Sequence, residues 1–281
     1  MDGEGQALGI YIYLGSLSVS DSAQVIATAS RAIDISNGSI QLTGGQITAA
    51  TTGDNQLAVS VMKDGAGSGT GNIEVTAGTL EATGGINMYQ YQPTDQQGIF
   101  SVTGGTVRCG SIYGANKFNV SGGMVQTRQI STKDMTLSNT TLTVREPVRE
   151  YNGNLYTSPA IECRNLTVNS GVLDVAWDWG EHTPIVFPVD TYDGFSTPLV
   201  RMYGDDYVAT FNGGTTILNT GWAGNLVLKL GQLVLGNGMV ETGADASQIQ
   251  LSNDVPVQFA AGTTVTPINA AALLWHPLPA G

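Results

Sequence analysis

The sequence predicts an all-β protein built as a parallel β-helix solenoid with a less regular, capped C-terminal part. Three observations lead to this prediction. The chain is rich in Gly and poor in charge, short runs alternate apolar with polar residues, and one strand–turn–strand signature recurs along the first two-thirds. Alternation is the pattern of a strand with one buried face. Recurrence at roughly coil length indicates repeats that bury their apolar faces on their neighbours.

The composition supports a folded chain and argues against several classes of partner. Of the 281 residues, 41% are hydrophobic, 37 are Gly and only 12% are charged, so uncharged polar side chains must cover most of the surface. The net charge of −12 and the scattered 11 Lys and Arg argue against nucleic acid and anionic membranes as partners. No apolar stretch approaches the roughly 20 residues that span a bilayer, so no membrane insertion is expected.

The repeated signature reads apolar–polar–apolar, then two or three small residues, then another apolar residue. Ile33–Gly45 aligns without gaps with Ile73–Gly85, and shorter copies follow at Phe100–Val107, Phe118–Val125, Met135–Leu142 and Leu166–Leu173. The small residues turn the strand, because Gly reaches backbone angles that other residues avoid. The spacing predicts one coil between the copies at Phe100, Phe118 and Met135, and two coils between those at Ile33 and Ile73.

Two other architectures share part of this pattern. A β-sandwich also contains short strands with frequent turns, but it does not predict a signature repeated at coil length. A leucine-rich horseshoe requires a denser Leu consensus than this chain has. The parallel β-helix is therefore the preferred interpretation.

The signature [Ile/Phe]-x-Val-[Ser/Thr]-Gly-Gly-x-[Val/Leu] resembles the degenerate repeats of bacterial cell-surface and adhesin-like proteins. Those repeats are similar in turn to the pectate-lyase-like right-handed β-helix superfamily. The resemblance covers Ile33 to Val175. It implies a right-handed β-helix and an extracellular or cell-surface location, and it carries no catalytic residues. The start, Met1-Asp-Gly-Glu-Gly5, is not a signal peptide, so the expectation is a chain trimmed from a longer exported protein.

Two regions are predicted along the chain. Residues 1–175 form the β-helix repeat region, and residues 176–281 continue the solenoid with inserted loops and a C-terminal cap, or form a small β subdomain. In the second region, strand patterns return at 225–235, 249–251 and 255–259. The near-continuous apolar run within 225–235 predicts one strand covered on both faces. The segment 270–275 is expected to cap the open end of the solenoid.

Aromatic residues provide the candidate ligand-binding positions. Tyr11 and Tyr13 alternate with Ile10 and Ile12, so they are expected on the outer face of a strand. The candidates are the outer tyrosines and two tryptophans, namely Tyr11, Tyr13, Tyr89, Tyr91, Trp177 and Trp179. Paired aromatic rings suit carbohydrate or protein contacts. The alternative for Trp177 and Trp179 is packing, because they share a face with Leu173 and Val175.

A second cluster offers acid–base chemistry. Asp178, Glu181 and His182 lie close in sequence, with Asp190 and Asp193 behind them, and glycosidases work with paired carboxylates. A solvated loop is the simpler interpretation, since catalytic carboxylates usually come from distant positions. Cys109 and Cys163 have no His or second Cys at metal-ligand spacing, and the acidic loops 190–194 and 204–206 lack calcium-loop spacing. No metal site and no cofactor are therefore predicted.

Three functions remain open at this point. The first is a non-catalytic, adhesin-like surface protein whose solenoid face binds polysaccharide, host-surface glycans or host proteins. The alternative is a polysaccharide lyase or glycoside hydrolase on the same scaffold, which depends on the Asp178, Glu181 and His182 cluster. The third is a structural spacer that associates through its open ends. No motif for a nucleophile elbow, a phosphate-binding loop or a metalloprotease is present.

Overall fold

The described part of the chain consists of β-strands, turns and loops. The structure is a computed structural model, and it describes residues 7–52, 57–63, 70–88, 97–182, 199–202, 208–219, 226–228, 232–235, 239–242, 249–251 and 257–259. No helix within these ranges is long and apolar enough to cross a membrane. The chain divides into two compact units, Met1–Thr136 and Leu137–Gly281.

The first unit contains the strands β1 to β10, the last of which ends one residue past the unit boundary. They are β1 (Leu8–Tyr13), β2 (Ser16–Val19), β3 (Gln24–Ala29), β4 (Arg31–Ser36), β5 (Ser39–Thr51), β6 (Leu57–Met62), β7 (Ile73–Asn87), β8 (Ile99–Val102), β9 (Thr106–Val120) and β10 (Met124–Leu137).

The second unit contains the shorter strands β11 to β24. They are β11 (Thr141–Pro147), β12 (Arg149–Tyr151), β13 (Asn154–Tyr156), β14 (Ile161–Cys163), β15 (Asn165–Val168), β16 (Val172–Asp178), β17 (Val200–Met202), β18 (Val208–Phe211), β19 (Thr215–Asn219), β20 (Leu226–Leu228), β21 (Gln232–Leu235), β22 (Met239–Thr242), β23 (Ile249–Leu251) and β24 (Val257–Phe259).

Parallel pairing in the first unit aligns equivalent positions of successive repeats. Leu17 pairs with Ile40, Ile40 with Ile73, Ile73 with Phe100, and Phe100 with Phe118. From Ile40 onward, every side chain in this column is fully buried. The apolar position that opens each signature is therefore a core position, stacked directly on its counterpart in the neighbouring strand.

The register corrects one expectation from the repeat. Ile33 pairs with Val59, whereas Ile73 pairs with Ile40. The gapless alignment of Ile33 with Ile73 therefore does not mark equivalent positions two coils apart. It arises because β4 and the start of β7 share the same apolar alternation although they belong to different columns. The expected single step from Phe100 to Phe118 is confirmed.

The paired small residues of the signature form a column of turns. Gly45, Gly78, Gly105 and Gly123 all have positive φ, between 68° and 79°. At Gly78, Gly105 and Gly123, a Cβ atom would lie 2.5 Å from the carbonyl oxygen of the preceding glycine of this column. Glycine is needed here for two reasons, a left-handed backbone and a close approach between neighbouring turns.

The second unit repeats this arrangement with different side chains. Leu142 pairs with Leu173, and Leu173 with Thr216. At the turns, Asn212 Nδ2 donates to Asn169 Oδ1 at 2.9 Å, and Asn169 Nδ2 donates to Ser138 Oγ at 3.3 Å. This polar ladder links three turns, because side-chain amides can donate and accept at once. Gly171 and Gly214 keep the positive φ of the column.

The structure supports the coarse prediction and changes some details. The described chain is all-β, with many strands in parallel register. The single strand expected across 225–235 is wrong, because β20 pairs with β17 and β21 pairs with β18. The expected strand at 249–251 is present as β23. The predicted cap at 270–275 lies outside the described residues, and the predicted boundary between 175 and 176, which falls within β16, stays a prediction.

Candidate functional site

The first candidate surface is the outer face of β1. Tyr11 and Tyr13 are 55% and 57% exposed, and they alternate with the more buried Ile10 and Ile12. This alternation follows from parallel pairing with β4, in which Ile10 meets Ile33 and Tyr11 meets Asp34. The two rings lie on one face of one strand, as expected. Tyr89 and Tyr91, the other predicted tyrosine pair, lie outside the described residues.

The second candidate surface begins at the end of β16. Leu173, Val175 and Trp177 alternate inward, and Asp178 is exposed. Trp177 is only 4% exposed, and its Nε1 donates to the carbonyl oxygen of Ser158 at 2.9 Å. Its ring is therefore part of the core and leaves little surface for a ligand. This is the packing alternative that the sequence left open.

Trp179 lies at the transition from β16 to a tight turn. It is half-buried, and its ring packs edge to face on Trp177, with centroids 6.1 Å apart and an interplanar angle of 80°. The two indoles therefore do not form a flat platform. The turn is closed by two hydrogen bonds, from the Gly180 amide to Asp178 Oδ1 at 3.0 Å and from the His182 amide to the Trp179 carbonyl oxygen at 2.8 Å.

The acidic residues of this turn do not gather around His182. The Asp178 carboxylate accepts from its own turn, and Glu181 is exposed. The carboxylate that faces His182 is Glu150, whose Oε2 lies 3.8 Å from His182 Nδ1. Glu150 belongs to β12, which sequence reasoning did not consider. Asp190 and Asp193, the remaining acidic candidates, lie outside the described residues.

The strands β12 and β13 form an antiparallel hairpin, which is a two-stranded sheet of its own. Arg149 pairs with Tyr156, and Tyr151 with Asn154. Asn152 and Gly153, the two loop residues, both have positive φ, at 52° and 75°. That geometry matches a type I′ turn, for which Asn-Gly is the preferred sequence. The dipeptide between two Tyr-containing runs was the signal that would have found this hairpin.

The hairpin has two different faces. Residues directly opposite each other, and residues two apart on one strand, share a face in an antiparallel pair. Arg149, Tyr151 and Tyr156 therefore lie on one face, while Glu150 and Leu155 lie on the other. Tyr151 is 67% exposed, and its ring contacts that of Tyr156 at a centroid distance of 6.4 Å and an interplanar angle of 62°.

Two contacts fix the hairpin to the rest of its unit. The Val148 amide donates to the Asp178 carbonyl oxygen at 2.8 Å. On the tyrosine face, Arg149 Nη2 lies 3.2 Å from Oε1 of the buried Glu146. The hairpin that carries Tyr151 and Tyr156 is therefore attached to the rest of its unit. The Arg149 guanidinium lies on the same face, and its charge is balanced by the Glu146 carboxylate.

Two further kinds of chemically active group are potential metal ligands and the two cysteines. Across the described ranges, no three His, Cys, Asp or Glu side chains converge as metal ligands. Cys163 is buried and Cys109 is half-buried, and desolvation of the Cys109 thiol raises its pKa from 9.0 to about 12, with a counteracting hydrogen bond to Thr127. A thiol of this kind is protonated at neutral pH and is a poor nucleophile.

Comparison with known proteins gives no relative from which a role could be transferred. No family model, curated protein or solved structure matches the chain.

Proposed function

We propose that this chain is a non-catalytic, exported surface protein that binds carbohydrate or host-surface molecules through the outer face of a right-handed β-helix. The signature that resembles adhesin-like repeats is one support for export. The register supports the β-helix, since β2, β5, β7, β8 and β9 pair in parallel in succession. Parallel connections of this kind are almost always right-handed, and stacked coils are a natural explanation for them.

The observation that carries the proposal is the exposure of tyrosine rings on β1 and β12. Tyr11 and Tyr13 project from β1, and Tyr151 projects from the hairpin. Contact of an exposed ring with the apolar face of a sugar or of another protein removes apolar surface from water, which is favourable. Exposed rings of this kind suit binding through several weak contacts.

Binding is preferred to polysaccharide cleavage because of the arrangement around His182. Cleavage by paired acids needs two carboxyl groups on either side of one bond. In the described turn, Asp178 is engaged by the Gly180 amide and His182 faces Glu150. Both contacts hold the turn in shape, and neither places two carboxyl groups on either side of a substrate bond.

The test is affinity electrophoresis of the purified chain through native gels that contain single polysaccharides. Retardation in at least one gel, with the polymer intact, is the expected result, and a polymer-free gel and a non-binding acidic protein serve as controls. Clearing of the polymer would replace the proposal with the lyase or hydrolase alternative. Unchanged mobility against plant, microbial and host polysaccharides would overturn carbohydrate binding.

A further inference from the structure

We propose that the tyrosine face of the β12–β13 hairpin, formed by Arg149, Tyr151 and Tyr156, is a binding site for an uncharged polysaccharide. The inference rests on the proposed function and deepens it by naming the site and the ligand class. The hairpin was not among the positions that the sequence indicated.

The two rings form an angled aromatic surface. Tyr151 is the most exposed aromatic side chain of the described residues, and Tyr156 is half-buried beside it. Their planes meet at 62°, so the rings line a corner. An angled pair can contact two successive sugar units of a polymer that is not flat, because each pyranose presents an apolar C–H face to a ring.

The hairpin holds these rings in place before a ligand arrives. Its turn residues, Asn152 and Gly153, adopt the backbone angles that close a two-residue hairpin. Glu150, on the opposite face, lies 3.8 Å from His182 in the Trp179 turn. A site that is already ordered loses less conformational entropy on binding.

The charges around the rings favour an uncharged ligand over an acidic one. The guanidinium of Arg149 is balanced by Glu146, and the chain as a whole carries a net charge of −12. Uronic or sialic acids would therefore meet no uncompensated cation on this face and would be repelled by the rest of the chain. A guanidinium has five N–H donors, so Arg149 keeps donors for sugar hydroxyls while it holds Glu146.

The experiment compares binding of the full chain and its variants to uncharged glucan, mannan and galactan and to polygalacturonate and alginate. Tyr151→Ala and Tyr156→Ala are expected to weaken binding by about tenfold each. Tyr151→Phe and Tyr156→Phe keep the ring and are expected to bind within about twofold of the parent chain. Met124→Ala is the matched control, because Met124 is an exposed apolar residue of the first unit. Circular dichroism of each variant verifies the fold.

The outcomes separate this site from the general proposal. If the parent chain binds and the Tyr151→Ala/Tyr156→Ala double variant binds equally well, the site assignment is overturned while carbohydrate binding stands. A Tyr11→Ala/Tyr13→Ala variant then tests β1 as the site. Binding of polygalacturonate or alginate in preference to the uncharged polymers would overturn the ligand class. Absence of binding by the parent chain to every polymer would overturn carbohydrate binding itself, and this site with it.

Discussion

Phe118 packs edge to face on Phe100, with ring centroids 5.5 Å apart and an interplanar angle of 72°. The two residues are paired in the parallel register of β8 and β9, and both are fully buried. They occupy the same place in two copies of the repeated signature. The repeat in the sequence is therefore visible in the core as direct contact between equivalent side chains.

Replacement of Phe118 by Ala is expected to lower the free energy of unfolding by about 3–5 kcal/mol, because it removes a large buried ring and leaves a cavity. The edge-to-face contact with Phe100 adds a separate contribution to the free energy of unfolding. In a double-mutant cycle with Phe100→Leu and Phe118→Leu, we expect a coupling of about 0.5–1.5 kcal/mol. Urea unfolding measures all four chains. Strict additivity of the two leucine substitutions would contradict a specific contact between the rings.

The column of glycine turns gives a prediction with a matched control. Gly78 and Gly153 have nearly equal positive φ values, 79° and 75°, but a Cβ atom would lie 2.5 Å from the Gly45 carbonyl oxygen at Gly78 and meet nothing within 4 Å at Gly153. Gly153→Ala is expected to cost about 1–2 kcal/mol from backbone strain alone. Gly78→Ala is expected to cost about 1–3 kcal/mol more, because the neighbouring turn must move.

Urea unfolding of the two alanine variants separates these contributions. Equal losses of stability at Gly78 and Gly153 would mean that the close approach of the turns adds nothing. In that case the paired glycines of the signature would be explained by the left-handed backbone alone.

Much of the fold was predictable because its cause is local. Alternation marks the strands, and glycine pairs mark the turns, whatever the rest of the chain does. The register in which the strands pair was less predictable, because Ile33 and Ile40 begin equally good alternating runs. Only the contact of Ile40 with Ile73 across β5 and β7 decides which run stacks on which. That contact depends on the lengths of the intervening segments, which the repeat signature does not contain.

The candidate site was less predictable for a related reason. Trp177 and Tyr11 each follow apolar alternation, and exposure depends on which face meets the next strand. Trp177 belongs to the buried face of β16 and Tyr11 to the outer face of β1. The hairpin carried a local signal in Asn152-Gly153. The contact of Glu150 with His182 had none, because it joins segments that only folding brings together.

The raised pKa of Cys109 predicts low thiol reactivity. At pH 8, the native thiolate fraction should be about a thousandfold lower than that of an unfolded Cys, since the pKa rises from 9.0 to about 12. In a Cys163→Ala chain, iodoacetamide should therefore label Cys109 quickly in urea and very slowly without it. Rapid labelling of the native chain would contradict the raised pKa of the Cys109 thiol.

The raised pKa of Cys109 also makes the free energy of unfolding depend on pH. Between pH 9.0 and about 12, the unfolded thiol has released its proton while the native thiol keeps it. The native state then binds more protons, so this contribution is fully present below pH 9.0 and is lost as pH rises toward 12. Cys109→Ala should remove that part of the alkaline loss, measured as a flatter pH dependence of the urea midpoint than in the parent chain.

Trp177 and Trp179 allow core packing to be separated from ligand contact. Trp177→Phe removes the Nε1–H that donates to the Ser158 carbonyl oxygen and leaves a small cavity, so we expect a loss of about 1–3 kcal/mol in the free energy of unfolding. Trp179→Phe, at a half-buried position, should cost less than about 1 kcal/mol. Chemical denaturation followed by circular dichroism measures both variants under the same conditions. A larger loss for Trp179 than for Trp177 would contradict the assignment of Trp177 to the core, because only Trp177 combines a buried indole with a hydrogen bond to a backbone carbonyl oxygen.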